Sequence, residues 1–342
     1  MFPANRSPGG MSSARRRLLP LFAAAAWALA SSGTALAQTA GKAWRIGVAQ
    51  IVSHPALDMV AQGFEAGLAE SGFREGQNLV YERYNADGDP KRAGEIAQSL
   101  ARGRLDLIHA ISTPTAQSVL KTASKTPLVF SAVTDPVAAG LVPSSSAPGN
   151  KSGTHVTGVS DRWPVALQFR LYASIVPQAR TWGTIYNPAE VNSVSHVREM
   201  REAAQSLGFE LHEAHVSKAE DVAAAAHSLV GKVQAIAITA DNTSVSNFTA
   251  IAEVCNEYDI ALFAGDIDSV SAGAVAAYGM DYFLIGYAAG KKAALVLRGI
   301  SPGEIPWGVM EKFSLAINLR AAALQNVSIS PEILRKADKV ID

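Results

Sequence analysis

One pattern is written twice along this chain, and that repetition limits the possible folds more than any other feature of its 342 residues. From Trp44 onward, short β-rich apolar runs alternate with segments whose apolar residues recur at helical spacing. Trp44–Gln50 reads as a strand, and Leu57, Val60, Ala61, Phe64 and Leu68 then mark one face of a helix that Gly72 stops. A strand at Leu79–Arg83 follows. Pro90 opens a second helix with Ala93, Ile96, Ala97 and Leu100 on one face, in a first turn where a missing N–H costs nothing. Leu105–Ile111, Pro114–Lys121 and Leu128–Val133 add strand, helix and strand. The second copy begins 137 residues after the first, with a strand at Thr181–Tyr186. Val194, Val197, Met200, Ala204 and Leu207 line its first helix, which Gly208 ends. Strands at Phe209–Val216, Val233–Thr239 and Ile260–Phe263 alternate with helices at Ala219–Leu229 and Val245–Tyr258. Strands alternating with helices imply parallel sheets covered on both faces, and right-handed crossovers make each copy a doubly wound unit.

The expected fold class is therefore α/β, with two doubly wound parallel-sheet lobes. Between the copies, Val142–Gly158 has the Pro, Ser and Gly content of a long loop. Surplus elements come later: strands at Ala274–Tyr278 and Ser314–Leu319, and a helix at Ile285–Arg298. They fit if the chain crosses between lobes more than once, making a multi-strand hinge. The expected division is 44–156 plus about 273–304 for the first lobe, and 157–272 plus about 305–342 for the second.

The amino terminus reads as an address. Arg15, Arg16 and Arg17 precede an uncharged, Ala- and Leu-rich stretch that ends in Ala35-Leu36-Ala37, the small-x-small pattern of a signal peptidase site. Residues 1–37 are expected to be a cleaved secretory signal, with Met11 an alternative start. Pro20 and the weak hydrophobicity disfavour a permanent anchor. The chain has 30 basic and 30 acidic residues. The segment removes four Arg and no acid, leaving 26 bases against 30 acids, or −4. That balance gives no electrostatic reason to expect nucleic acid. A single cysteine excludes an internal disulfide and a Cys-based zinc site.

Catalytic signatures are missing. The chain has no G-x-S-x-G elbow, phosphate loop, G-x-G-x-x-G or H-E-x-x-H. His212 and His215 are offset by three along a strand, which puts them on opposite faces. Cys255 shares a helical face with Ile251 and Val254 and reads as core. Neither a metal nor a cofactor is expected.

Polar residues gather in the loops that follow strands, where parallel sheets hold ligands. Ser53-His54-Pro55, Thr113-Pro114-Thr115, Thr134-Asp135-Pro136, Glu190-Val191-Asn192-Ser193, Asp241-Asn242-Thr243 and Gly265-Asp266 all lie there. Helices starting at Thr113 and Ser193 aim free N–H groups at that edge, which suits an anion. Asp135, Asp241 and Asp266 suit an ammonium, so the set as a whole suits a zwitterion. The same residue types also cap helices and make turns, and for Thr113 and Ser193 capping is an equal explanation.

At these residues the sequence resembles the solute-binding proteins of bacterial ABC importers, in the branch of tryptophan- and tyrosine-type substrate-binding proteins. The matching segments include His54-Pro55-Ala56-Leu57-Asp58, Asn85-Ala86-Asp87-Gly88-Asp89-Pro90, Thr134-Asp135-Pro136-Val137, Tyr186-Asn187-Pro188-Ala189-Glu190 and Tyr278-Gly279-Met280-Asp281-Tyr282. The resemblance runs from about Trp44 to about Ile329. It implies a monomeric periplasmic receptor of type I periplasmic binding fold, which closes on a small solute and delivers it to a permease in the inner membrane. An amino acid, aromatic for preference, is the implied solute. His54, Thr113 and Asp135 would face the cleft from the first lobe; Glu190, Asn192, Ser193, Asp241 and Asn242 from the second; and Asp266 from near a crossover. Phe130, Tyr186 and Tyr282 are candidate stacking surfaces, with core packing the stronger reading for Phe130. A sensory receptor carries the same sequence signature, and an exported α/β enzyme is the weaker alternative.

Overall fold

The computed structural model describes residues 43–342, so the signal read in residues 1–37 lies outside the described residues. Among the described residues no helix is long and apolar enough to cross a membrane.

Strands β1 (Trp44–Gln50), β2 (Leu79–Asn85), β3 (Leu107–Ile111), β4 (Leu128–Ser131) and β5 (Val156–Ser160) pair in the order β5-β4-β3-β1-β2, all parallel. Helices α1 (Pro55–Glu70), α2 (Pro90–Arg102) and α3 (Thr113–Thr122) connect them. The chain then builds α4 (Val165–Ile175), β6 (Thr181–Tyr186), α5 (Val191–Leu207), β7 (Glu210–His215), α6 (Val222–Ser228), β8 (Ala235–Ala237), α7 (Asn242–Val245), α8 (Phe248–Glu257), β9 (Ala261–Ala264) and β10 (Ala276–Gly279). Their strands pair as β10-β9-β8-β6-β7. The pattern that is doubled in sequence is thus doubled in space, since both sheets carry the same strand order. Apolar runs buried on both faces, such as Leu107–Ile111, take the central positions, as parallel sheets require.

The remaining elements stitch the two sheets together. Helix α9 (Tyr282–Leu297) returns to the first sheet and lies along α1, and β11 (Gly308–Val309) pairs with β5. Strand β12 (Ser314–Asn318) then joins the second sheet antiparallel to β10, followed by α10 (Leu319–Leu324), α11 (Pro331–Lys336) and β13 (Lys339–Ile341). Each sheet with its helices is one lobe, and the chain passes between lobes after β5, after β10 and after β11.

Helices α1 and α9 touch backbone to backbone. A Cβ added at Gly63 would stand 2.0 Å from the carbonyl oxygen of Phe283, and one added at Gly286 would stand 1.9 Å from that of Val60. Gly67 and Gly290 repeat the arrangement one turn along. The pair behaves as one ridge, fixed to the first sheet, with His54 and Tyr282 at its two leading ends.

Several expectations change. Val142–Gly158 is not all loop, because β5 begins at Val156 and pairs Leu128 with Val156. Gly158 disguised it: the strand runs so close to β4 that a Cβ there would fall 2.3 Å from the Phe130 carbonyl oxygen. Sheet pairing has the chain leave the first sheet after Ser160, leave the second after Gly279 and leave the first again after Val309. The helix expected over Val245–Tyr258 begins earlier, at Asn242, and breaks before Phe248. Ser246 and Asn247 side chains there donate to the Thr243 carbonyl and compete with the helical ladder. The second sheet is mixed rather than purely parallel, through β12.

Candidate functional site

In each sheet the strand order reverses beside the first strand, between β1 and β3 in one lobe and between β6 and β8 in the other. At such a switch point neighbouring loops diverge and leave a crevice beyond the carboxyl ends of the strands. The residues that follow these four strands meet in one pocket. His54 comes after β1, Thr113 after β3, Asn192 after β6, and Asp241 with Asn242 after β8. Asp161 and Trp163 enter from the passage after β5, and Tyr282 from the passage after β10. Thr134 and Asp266 complete the polar lining, with Leu57 and Val245 among its apolar members. The space between atoms in the pocket amounts to about 340 Å³, part of it open to solvent.

Three buried polar atoms in this lining have no hydrogen-bond partner within the protein: His54 Nδ1, Thr113 Oγ1 and Asn192 Oδ1. Buried polar groups are normally satisfied, and leaving one unmet costs roughly 1–3 kcal/mol. Asn192 is otherwise fixed, since its Nδ2 donates to the Ala240 carbonyl and to Glu190, leaving the oxygen turned outward from that anchorage. Four helices of ten or more residues, α1, α3, α5 and α9, start at the pocket and bring the positive ends of their dipoles to it.

The charges are one-sided. Asp161, Asp241 and Asp266 line the pocket, and among the described residues no Lys or Arg does. Asp161 accepts from the Tyr282 hydroxyl at 2.7 Å and from the Thr134 hydroxyl at 3.1 Å. Tyr282 in turn accepts from the Trp163 indole N–H at 3.0 Å. Asp241 accepts from the backbone N–H of Asn187 and Ser244 and from the Ser193 hydroxyl. Asp266 accepts from the N–H and hydroxyl of Ser269. Burial pushes all three carboxyls above the usual carboxylate range, against these hydrogen bonds. Burial also lowers His54 to about 4, with Asp58 and the Asn242 side chain acting the other way. The imidazole is therefore neutral at physiological pH. Three sequestered carboxylates without a cationic partner favour a positively charged group in their midst.

The family of ABC transporter substrate binding proteins matches residues 45–341. The chain belongs to that family. The tyrosine-binding protein of Clostridioides difficile is 37% identical over 286 residues, covering 83% of this chain and 82% of that protein. Among solved structures, the ABC domain in complex with L-Trp from Streptococcus pneumonia is 30% identical with a TM-score of 0.83, covering 87% of this substrate-binding protein and 99% of that chain. A ligand-free, open substrate binding protein with adhesive properties from Clostridium difficile is 32% identical with the same coverages, yet has a TM-score of only 0.65. The fold is that of the type I periplasmic binding proteins.

Within this substrate-binding protein, the nine residues singled out from sequence divide by position. His54, Thr113, Asn192, Asn242, Asp241 and Asp266 line the pocket. Glu190, Ser193 and Asp135 do not. Glu190 lies behind Asn192 and Asn242, and its carboxylate accepts from both of their side chains and from the N–H and hydroxyl of Thr243. It braces the loop after β8 against the start of α5. Burial and Asp241 push its carboxyl up to about 7. Ser193 is spent on Asp241, and Asp135 caps its own turn at the Ala138 N–H. Of the stacking candidates only Tyr282 reaches the pocket. Phe130 is sheet core, and Tyr186 bonds Glu213 and His215. Asp161 and Trp163 were missed because they follow the strand hidden by Gly158. The hydrophobic start V-T-G-V of β5 was the signal that could have found them.

Proposed function

We propose that this substrate-binding protein captures a free amino acid with an aromatic side chain in the interlobe pocket. It acts as a monomer in the periplasm, once residues 1–37 are removed, and hands the solute to an ABC permease in the inner membrane. The observation that carries the reading is the convergence, from both lobes, of three unpartnered polar atoms and three carboxylates with no cationic side chain among the described lining residues. In this reading the α-ammonium takes its place among Asp161, Asp241 and Asp266. The α-carboxylate is met by the Thr113 hydroxyl and the starts of α1 and α3, and the side chain lies against Trp163 and Tyr282.

The mechanism is hinge closure. A solute that touches His54 and Thr113 on one lobe and Asn192 and Asp241 on the other stabilises only the arrangement in which both sets are near, so its differential contacts drive closure. The lobe arrangement here superposes far better on the L-Trp complex than on the ligand-free, open relative of similar identity. That supports a closed, solute-ready geometry.

The test is mass spectrometry of solute released from the purified protein, followed by thermal unfolding of the stripped protein with each amino acid. Tryptophan, tyrosine or phenylalanine should raise the melting temperature, because a ligand that binds only the folded chain must stabilise it. Asp241→Ala should abolish that rise. It should also lower the solute-free melting temperature, since Asp241 caps α7 and a lost cap costs about 1 kcal/mol. Asp135→Ala should leave the solute response unchanged. If no amino acid shifts the wild type, the assignment of solute class fails.

A further inference from the structure

Beside the solute pocket lies a second loosely packed region, about 250 Å³ of space between atoms with part of it open to solvent. Trp163 lines both. That region lies in the second lobe, among Phe169, Tyr172, Met200 and Ile238, and the buried Thr239 hydroxyl facing it has no partner within the protein. The indole is pinned from several sides. Its N–H donates to the Tyr282 hydroxyl at 3.0 Å, and the Trp163 backbone N–H donates to His196 Nε2 at 3.3 Å. The His196 ring lies 4.9 Å from it, centre to centre. Its six-membered ring lies over Gly265, where an added Cβ would fall 1.6 Å from a ring carbon. The backbone at 265 must therefore lack a side chain for the indole to lie there.

We propose that Trp163 is a specificity-determining residue that sets the depth of the solute pocket, and with it the largest side chain the protein accepts. The inference rests on the amino-acid reading above and adds which residue sets the size limit. Trp163 is the residue that the two linings share, so shortening it opens the pocket toward a region walled mainly by aromatic and aliphatic carbon. Such a wall takes an apolar ring. Asp241 and Thr113, two of the groups assigned to the solute's ammonium and carboxylate, make no hydrogen bond to Trp163, whereas Asp161 is linked to the indole through the Tyr282 hydroxyl, so a change in size preference is read from the ranking of solutes rather than from the loss of affinity for one of them.

The experiment is calorimetric titration of purified wild type, Trp163→Ala and Trp163→Phe with L-phenylalanine, L-tyrosine, L-tryptophan and L-4-phenylphenylalanine, a two-ring side chain longer than any natural one. Circular dichroism and thermal unfolding establish that each variant is folded. Wild type should bind at least one natural amino acid and reject the long analogue. Trp163→Ala should reverse the preference, gaining on the order of tenfold or more for the analogue and losing a similar factor for the natural solute, as pocket fit commonly dictates. Trp163→Phe should fall between, and it decides the matter if the alanine variant does not fold. A folded variant that ranks the four solutes as wild type does overturns the inference while leaving the amino-acid reading intact, and so does a wild type that already binds the long analogue as well as its natural solute. A wild type that binds none of the four overturns the amino-acid reading and the inference with it.

Discussion

Ser112 stands at φ 83° and ψ 161°, a region of backbone space held almost entirely by glycine and costing a side-chain-bearing residue about 1–3 kcal/mol. It joins β3 to α3, one position before Thr113. Ala132, which follows β4 at the same edge of the sheet and lines the pocket, is also left-handed at φ 53°. The backbone is thus bent hard where it must turn side chains toward the solute. Ser112→Gly should relieve that bend and raise thermal stability by about 1 kcal/mol. Differential scanning calorimetry checks it, and a fall in melting temperature would mean that the contact of Ser112 with Thr115 outweighs the strain. At this scale the sequence is informative about which loops matter and poor at ranking the residues within them. His54, Thr113, Asn192 and Asp241 reach the pocket lining, and each follows a recognisable strand. Glu190 is hard to rank from sequence because a buried carboxylate that braces a neighbouring loop has the same residue type and position as one that meets a solute.

The close pair of helices shows why elements matter beyond their lining residues. Because α1 and α9 meet through Gly63, Gly67, Gly286 and Gly290, His54 and Tyr282 stand at the leading ends of one tightly packed pair. Gly63→Ala places a methyl against a carbonyl oxygen and must spread the helices. It should destabilise the protein by roughly 1–3 kcal/mol, as overpacking does, and weaken solute binding beyond that by displacing both leading ends. Urea unfolding and titration together test this, and unchanged binding in a destabilised variant would separate the ridge from the site. Strand and helix identities were readable wherever a periodic run was uninterrupted, as in Thr181–Tyr186, which forms over those residues. They were not readable where tertiary contact dictates composition. Gly158 breaks the apolar pattern of β5 because β4 leaves no room for a side chain, and β11 is too short to have a period of its own.

For the whole molecule, the proposed hinge closure would be linked to protonation through His54. With the lobes together its pKa is about 4, against 6.5 in water, because burial disfavours the imidazolium. A lowered pKa means that the histidine's contribution to closure is complete above pH 6.5 and is lost as pH falls toward 4. The pocket's carboxylates also respond to pH, but they do so alike in wild type and in a His54→Gln variant. The ratio of solute affinities, wild type over variant, should therefore be flat above pH 6.5 and decline below it, by at most about tenfold per unit. A ratio that stays flat down to pH 4 would show that His54 is equally buried with the lobes apart. The doubled architecture was legible from the repeat alone, whereas composition does not fix the residue at which the chain changes sheets, because a crossover is defined by which strand a segment pairs with.

The interleaving also dictates an order of assembly. Glu70 at the end of α1 meets Tyr287 on α9 across 217 positions of chain. The first lobe therefore cannot be finished when its first five strands have been made. Its central ridge waits until nearly the entire second lobe has been synthesised, and its edge strand β11 comes later still. Such long-range closures slow folding. A chain emerging end-first from a ribosome or a translocation pore has no native resting point halfway, and one truncated before Tyr282 would expose the apolar face of α1 rather than yield a smaller folded domain.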